Sequence, residues 1–528
     1  MLGRTLKQIG FMDIAMLESW IGGLGLPEDS IYVGLKNADH IFRDDLFADC
    51  YSPIGRESKS PALMLKAIML QFFHNISDRE AELCAKYDLR WKYVLGGEIG
   101  KTEFDHTTLS RFRTRVLLNK KERTLFDKML DEVISEGFIP NKCAKQIIDS
   151  TSMFGAGAVQ DTYTLIRKAI IKVSDELKGR LDVKGLNLSL DYSKKGKPKI
   201  DWSNADERER ILNILYNDSV KITSAAQKLE LSEAESKSLE LLIDVTNQDI
   251  EKKEDDMVKI KKGVAKDRII SITDPEMRHG RKSSSNLFDG GKTHTAQETD
   301  EGFFTNIDVT AGNVHDSEPC PKIIDDQPKD RRPNTAIADG AYGTGNNRQE
   351  MKTRNIKLIS PVPDTPGYKG CFPKSMFEID LDNQTCRCPA GELAPDKVFN
   401  NKTGELDVFR FSEEQCHDCP FKDKCTKNKK GRRTITVNKH ERLLQEGRTF
   451  QKTEEFQQEY SQRYKIEAKN AELVHHGLRQ ARYIGLAKAR LQALFVGALI
   501  NFKLYWKLVN KQREALAKNT KAPMPAST

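Results

Sequence analysis

The sequence predicts an α/β core, a mixed sheet flanked by helices, behind an all-α N-terminal region, with a helical-hairpin insertion and a small cysteine-rich insertion. Three observations carry this. Apolar residues recur at three- and four-residue spacing up to about residue 140. Short β-branched runs then begin near Cys143, and two of them end in aspartate. Six of the ten cysteines fall between Cys371 and Cys425.

Composition narrows the class further. The chain has 528 residues, 38% hydrophobic and 31% charged, which is too apolar for a disordered chain and long enough for several domains. The longest strongly apolar run, Ala493 to Phe502, falls short of the ~20 residues that span a bilayer. The first residues, MLGRTLKQIGFMDIAML, carry an early acid and no small-residue cleavage site, so we expect a cytoplasmic protein without a membrane segment. In such a chain, clustered cysteines favour metal over disulfides.

In the N-terminal region, Ala62 to Leu70 and Glu80 to Leu95 have helical periodicity. Ser60 with Pro61 marks a helix start, and Ser77 to Glu80 has the form of a capping box. Phe104 to Arg115 reads as a polar cap followed by an arginine-rich helix carrying Arg111, Arg113 and Arg115. Two short helices before an arginine-rich one suit helix-turn-helix DNA binding, and the pattern also occurs in ordinary bundles.

Ala144 to Ile148 reads as a strand ending at Asp149, and Asp161 to Leu177 as a helix. Residues 201–263, polar and densely charged, suggest a projecting antiparallel hairpin whose charge pairs form a solvated face. Strand signals return at Arg268 to Ile272, Lys292 to Gln297, Phe303 to Thr310, Asn334 to Ala338 (ending at Asp339) and Lys357 to Val362. Gln462 to Trp506 is strongly helical, with Gly477 and Gly485 as interruptions, and the tail from Asn519 is expected to be disordered.

Asp149 and Asp339 share a strand-end context, where α/β sheets collect ligands. Two such aspartates form a cradle for a hard cation, and Glu467, on a helix among basic residues, is the third candidate. Three such carboxylates suffice for two Mg²⁺ ions about 3.5–4 Å apart at a phosphodiester. The alternative is that the aspartates cap turns. Glu472 lies five positions from Glu467, about 500° around a helix, so the two cannot share one face.

From Arg463 to Lys518 the chain carries twelve Lys/Arg and three Glu, which accounts for the whole net charge of +8. This is the footprint of a surface that meets a polyanion, or else a solvated basic helix. Arg479, Arg482, Tyr483 and Lys488 recur at helical spacing there and read as phosphate-gripping positions. Lys292 and His294 alternate on one strand and could face the cleft toward phosphate. His315-Asp316 suits a turn hydrogen bond or a supporting role beside metal, and the adjacent His475 and His476 point apart on a helix.

These motifs resemble those of DDE transposases of the IS1182 insertion-sequence family. Asp149-Ser150-Thr151 with Gly157 to Thr162 resembles the first acidic motif, Val309 to Ser317 the strand and turn before the second, Asp339 to Gly343 the second, and Ile466-Glu467 through Lys488 the third. The resemblance covers nearly all of residues 35–510. It implies an RNase H-like catalytic core, with Asp149 touching both metals, Asp339 one and Glu467 the other. It also implies a cytoplasmic, nucleoid-associated enzyme that binds insertion-sequence ends and acts on DNA as a homodimer. The rival from another class is a catalytically inactive, domesticated zinc-containing DNA-binding protein.

In the cysteine cluster, Cys388, Cys416, Cys419 and Cys425 have the spacing of a structural Zn²⁺ site in a zinc-ribbon-like fold, with Cys386 and His417 as substitute ligands. The other reading is four reduced, unliganded thiols. Lys422, Lys424, Lys427, Lys429, Lys430, Arg432 and Arg433 beside them suit a DNA contact. The expected division is a DNA-binding helical domain at 1–140, the core at 141–200 and 264–365 around the 201–263 hairpin, the cysteine-rich insertion at 366–450, catalytic and core helices at 451–513, and a tail at 514–528.

Overall fold

A computed structural model describes residues 25–520, apart from positions 56, 103, 195, 255, 256, 284, 364–369 and 401. Residues 1–17, on which the expectation about a leader rests, lie outside the described residues. No helix among the described residues is long and apolar enough to cross a membrane.

The N-terminal region is helical: α1 Ile31–Lys36, α2 Pro61–His74, α3 Asp78–Tyr87, α4 Leu89–Leu95, α5 His106–Leu118 and α6 Thr124–Ser135. The start signals act as the sequence predicts. Ser60 Oγ accepts from Leu63 N at 3.2 Å with Pro61 in the first turn, and Ser77 and Glu80 cap one another reciprocally. The single helix expected over Glu80 to Leu95 is two helices, because Asp88 turns extended and its carboxylate caps α4 by accepting from Arg90 N at 2.8 Å.

The main sheet has six strands: β1 Lys145–Phe154, β4 Arg278–Arg281, β5 Leu287–Glu298, β6 Phe304–Ala311, β7 Thr335–Ala338 and β8 Lys357–Ile359. β5 is central to its antiparallel half. One edge pairs with β1; the other pairs with β4 over Leu287 to Gly290 and with β6 over Gly291 to Gln297. Gly290 sits where those two partners meet, at φ +151°, and a Cβ there would lie 2.2 Å from Met153 O. β7 and β8 continue beyond β1 in parallel. The sheet thus runs β6, β5, β1, β7, β8, antiparallel in its first half and parallel in its second. α10 Cys320–Asp325 and α11 Gly345–Thr353 lie between β6 and β8 in the chain.

Two expectations from periodicity are corrected here. β1 does not stop at Asp149 but runs on to Phe154, since β5 supplies backbone partners for the polar stretch Asp149 to Ser152. Arg268 to Ile272 is not a strand. Its backbone is satisfied by glutamines instead: Gln248 bonds both Ile269 N and O, and Gln160 accepts from Ile272 N through its side chain.

The charged hairpin also differs from expectation. α8 Ala205–Ala226 and α9 Glu233–Asp249 pack on α7 Thr162–Glu176 around a separate core containing Leu165, Ile166, Leu212, Leu215, Leu242 and Val245. A short ribbon of β2 Ile250–Lys252 and β3 Val258–Ile260 follows. Charge pairs are not confined to its solvated face. Asp218 is fully buried and accepts from Ser189 N, Leu190 N and Tyr192 Oη at 2.8–3.3 Å. Asp249 holds Arg268 in a buried pair at 2.6 Å.

The cysteine-rich segment forms a two-stranded sheet, β9 Glu378–Asp380 with β10 Thr385–Arg387, and a three-stranded sheet of β11 Asp396–Phe399, β12 Leu406–Arg410 and β13 Thr434–Thr436. Between β12 and β13 lie the short helices α12 Glu413–His417 and α13 Lys422–Cys425, and the core holds Phe377, Phe409, Phe411 and Ile435. α14 Glu441–Phe450, α15 Glu454–Ser461 and α16 Tyr464–Leu473 then return to the sheet. A kinked π turn follows at Val474–Leu478, with Gly477 at φ +91°. The last helix, α17 Leu486–Thr520, packs on β6 and on α1, α2 and α6, and joins the N-terminal helices to the sheet in one core. It extends past the start of the expected tail; residues 521–528 lie outside the described residues.

Candidate active site

β1 and β7 run parallel with Ile148 opposite Ala338, so Asp149 and Asp339 emerge next to one another where the parallel ladder ends. β7 ends there because Asp339 turns its carboxylate back on the chain, accepting from Ala341 N at 2.9 Å and capping the turn Gly340–Tyr342. Ser360 Oγ fixes its carbonyl at 2.5 Å. Gly343 is required beside this turn, as a Cβ would sit 1.9 Å from Pro361 O.

Asp149 faces the helices that follow the cysteine-rich segment. Two residues before it, Ile147 packs with Ile337, Ile359, Phe456 and Ile466. The strand's period of two therefore turns Asp149 to that same face. Asn470 on α16 donates to Asp149 Oδ2 at 2.9 Å, and Thr295, the register partner of Asp149, lies within 3.4 Å of both its carbonyl and Asn470 Oδ1. Burial pushes the Asp149 carboxyl up to about 6, and the neighbouring Asp339 carboxylate adds to that rise. The Ser150 amide, Arg463 and Lys282 act in the other direction.

Tyr460 and Arg463 complete this face. Burial raises the Tyr460 phenol, with Asp339 and Asp149 adding to it and Arg463 opposing. Burial alone would lower Arg463, but Tyr460, Asp149 and Glu467 hold its pKa above the usual arginine value. Glu467 itself does not reach the aspartates. Its side chain is 59% exposed and pairs with Arg463 at 2.5 Å, so Arg463 stands electrostatically between Asp149 and the third acid. Glu472 points elsewhere, to Lys503 at 2.7 Å and Lys469 at 3.4 Å. Tyr460, Arg463 and Asn470 were not among the expected site residues. Their signal was present, since they recur at helical spacing with Glu467.

Among the described residues, no group of three or more His, Cys, Asp or Glu stands where it could hold a metal ion. This holds for the carboxylates and for the cysteines. Cys388, Cys416 and Cys425 pack against the Phe409 core. Burial pushes the Cys425 thiol up to about 11, with Cys416, Cys419 and Cys388 close enough to add to it. The four thiols thus converge on one region, but the expected zinc site is not supported, and all ten cysteines are free.

The expected phosphate-gripping residues divide sharply. Arg113 is buried, paired with Asp78, and its guanidinium lies 4.7 Å over the Tyr483 ring. Arg482 donates to Ile76 O and Asn75 Oδ1, both at 2.6 Å, and stacks on Phe72. Lys292 is buried against Asp316 at 2.7 Å and Val314 O at 2.9 Å. With His294 it lies on the opposite face of the sheet from Asp149, because their register partners are Ser152 and Ser150. His294 bonds Thr310 at 2.9 Å, and burial lowers its pKa to about 4. These side chains are all held by partners within the fold. Tyr483 is the platform under Arg113, Arg115 lies over Tyr51 at 4.3 Å, and Arg479 bonds Ser152 Oγ at 2.8 Å. Arg111 and Lys488 are exposed. His315 makes a turn bond to Ser317 at 2.7 Å, and His476 is buried between Lys503 and Phe72 O.

Residues 387–506 match a family model described as a transposase DDE domain, and residues 32–115 match a second, described as a transposase domain (DUF772). The first match takes in Cys388, Cys416, Cys419, Cys425, Glu467 and Asn470, and leaves Asp149 and Asp339 upstream of it. The chain is therefore a transposase by its domains. Both domains are typical of IS1182-family transposases. No curated protein and no solved structure gave a match.

Proposed function

We propose that the chain is a DDE transposase that binds insertion-sequence ends, cuts there and joins the freed 3′ end to target DNA. The observation that carries this reading is the juxtaposition of Asp149 and Asp339 at the end of the parallel ladder, facing the helix of Glu467, in a chain with two transposase domains. The strand order, three antiparallel strands followed by two parallel ones, supports an RNase H-like core.

DDE domains generally use a divalent metal such as Mg²⁺. The donor set suits a hard cation: two adjacent carboxylates, one of them held up to about 6 by burial, so that its charge is only partly offset within the chain. Asp149 and Asp339 would hold it, with Glu467 joining on release from Arg463. When bound, such ions activate an attacking hydroxyl and stabilise the leaving oxygen. The chain's own part is to orient and to shield. Asn470 fixes Asp149 Oδ2 and leaves Oδ1 to the ligand, while the Asp339 cap fixes which of its oxygens remains available. Arg463, once free of Glu467, is placed to neutralise a phosphate beside Asp149. Two ends must be brought together, so a homodimer on DNA is part of the proposal. So is the division of the chain at 140, 200, 263, 365 and 450.

The test is nicking of supercoiled plasmid carrying the element's ends, with Mg²⁺ and purified protein. Asp149→Asn and Asp339→Asn should each lose at least about 1,000-fold in rate, the scale of removing an electrostatic contact made in the transition state. Cleavage by either variant at the parent rate overturns the assignment.

A further inference from the structure

Because the arginines expected to meet DNA are largely occupied, the unspent positive charge lies elsewhere. Residues 422–433 hold seven Lys/Arg and one Asp. Two of the seven are used internally. Arg433 donates to Cys425 O and Phe372 O and covers the Phe377 ring, and Lys422 reaches His417 O. Lys424, Lys427, Lys429 and Lys430 are exposed and Arg432 half-exposed, and none of the five pairs with a carboxylate among the described residues.

The backbone that presents them is fixed. Thr426 Oγ1 spans the turn to Arg432 O at 3.1 Å and accepts from Asn428 N at 3.2 Å. Asn428 Oδ1 accepts from Lys430 N at 3.0 Å, and Gly431 closes the turn in the left-handed region at φ +68°. Arg433 ties its base to the Phe377–Phe409 core. Like charges crowded on an exposed turn repel one another, and a rigid scaffold that keeps them together is suited to a polyanion.

We propose that this basic turn of the cysteine-rich segment is a sequence-independent clamp on the phosphate backbone of duplex DNA. The inference rests on the transposase reading and adds to it a contact surface outside the carboxylate site. Lysine, a flexible point charge with no planar fork, suits phosphate contact without base readout.

The experiment uses the full chain with Lys424→Gln, Lys427→Gln, Lys429→Gln and Lys430→Gln combined, and the four Lys→Arg changes as a second variant. Binding to a 30-base-pair duplex of arbitrary sequence is followed against salt. Each phosphate contact contributes roughly 0.9 to the slope of log K on log salt, so the glutamine variant should lose about 3 in slope and about 100-fold in affinity near physiological salt. The arginine variant should keep both. Parental slope and affinity in the glutamine variant overturn the clamp, as does tighter binding of single-stranded RNA than of duplex. Plasmid nicking by the parent is measured alongside. If nicking persists while the slope is unchanged, the clamp fails and the transposase reading stands. If the slope falls but the parent never nicks, the reading of the carboxylates fails instead.

Discussion

Asp149 is the residue whose environment says most about its use. A carboxyl pushed up to about 6 by burial carries a linkage sign that can be measured. Its folded pKa lies above its unfolded value, so the folded state holds the proton more tightly. This group therefore costs nothing below about pH 4 and destabilises the fold as pH rises through 6. The shift corresponds to a cost of about 3 kcal/mol at pH 8. Asp149→Asn keeps an oxygen to accept from Asn470 and removes the charge. In metal-free buffer it should melt several degrees above the parent at pH 8, with the gap shrinking toward zero near pH 4. A pH-independent gap, or a lower melting temperature at pH 8, would show that Asp149 is not held in this way. The same variant loses nicking, so stability and activity move oppositely, as expected where a site stores unfavourable charge.

At the scale of elements, local chemistry was legible and long-range pairing was not. Ser60-Pro61, the Ser77–Glu80 box and the Asp161 cap can be read off single positions, because a cap involves only residues three apart. The length of β1 could not, because Asp149 to Phe154 owe their extended form to β5, well over a hundred residues away. Lys292 and His294 failed for a related reason: alternation showed that they share a face, not which face. The helical hairpin itself was legible but its core was not, because its apolar positions are sparse along the chain. They meet α7, and buried polar groups complete the packing. Asp218 is the clearest of these. Asp218→Ala would strand the Ser189 and Leu190 amides and the Tyr192 hydroxyl, at a cost of about 3 kcal/mol. Residues 189–200 should then be cut by trypsin at Lys194 or Lys199 well before the rest of the chain. Unchanged proteolysis there would mean that this loop is held by something other than Asp218.

Over the whole molecule, the two matched domains are joined by one helix. Residues of α17 including Leu494, Phe495, Ala498, Leu499, Phe502 and Tyr505 share a single core with the N-terminal helices and with Phe304, Ile307 and Val309 of β6. Trp506 presses on Gly34, where a Cβ would lie 2.8 Å from its ring, and its indole N–H donates to Glu28 O at 2.9 Å. Among the described residues Asn510 is the last buried position, and residues 511–518 are all exposed. The helix should thus have a sharp functional end. Among the described residues, removing 511–528 takes away only exposed side chains, including Arg513 with its contact over the Trp506 ring, a contact of order 0.5 kcal/mol. Removing residues 498–528 strips six buried apolar side chains, Ala498, Leu499, Ile500, Phe502, Tyr505 and Trp506, the first five of them from the shared core. At ~1.5–3 kcal/mol for each large one, that is comparable to the whole stability of a typical domain. The shorter deletion should express as soluble protein with the parent's melting temperature. The longer one should lose the cooperative melt of the N-terminal helices and of the sheet together, because the helix serves both. If the sheet still melts cooperatively without residues 498–528, the two regions are independent folding units and α17 is only a strap between them.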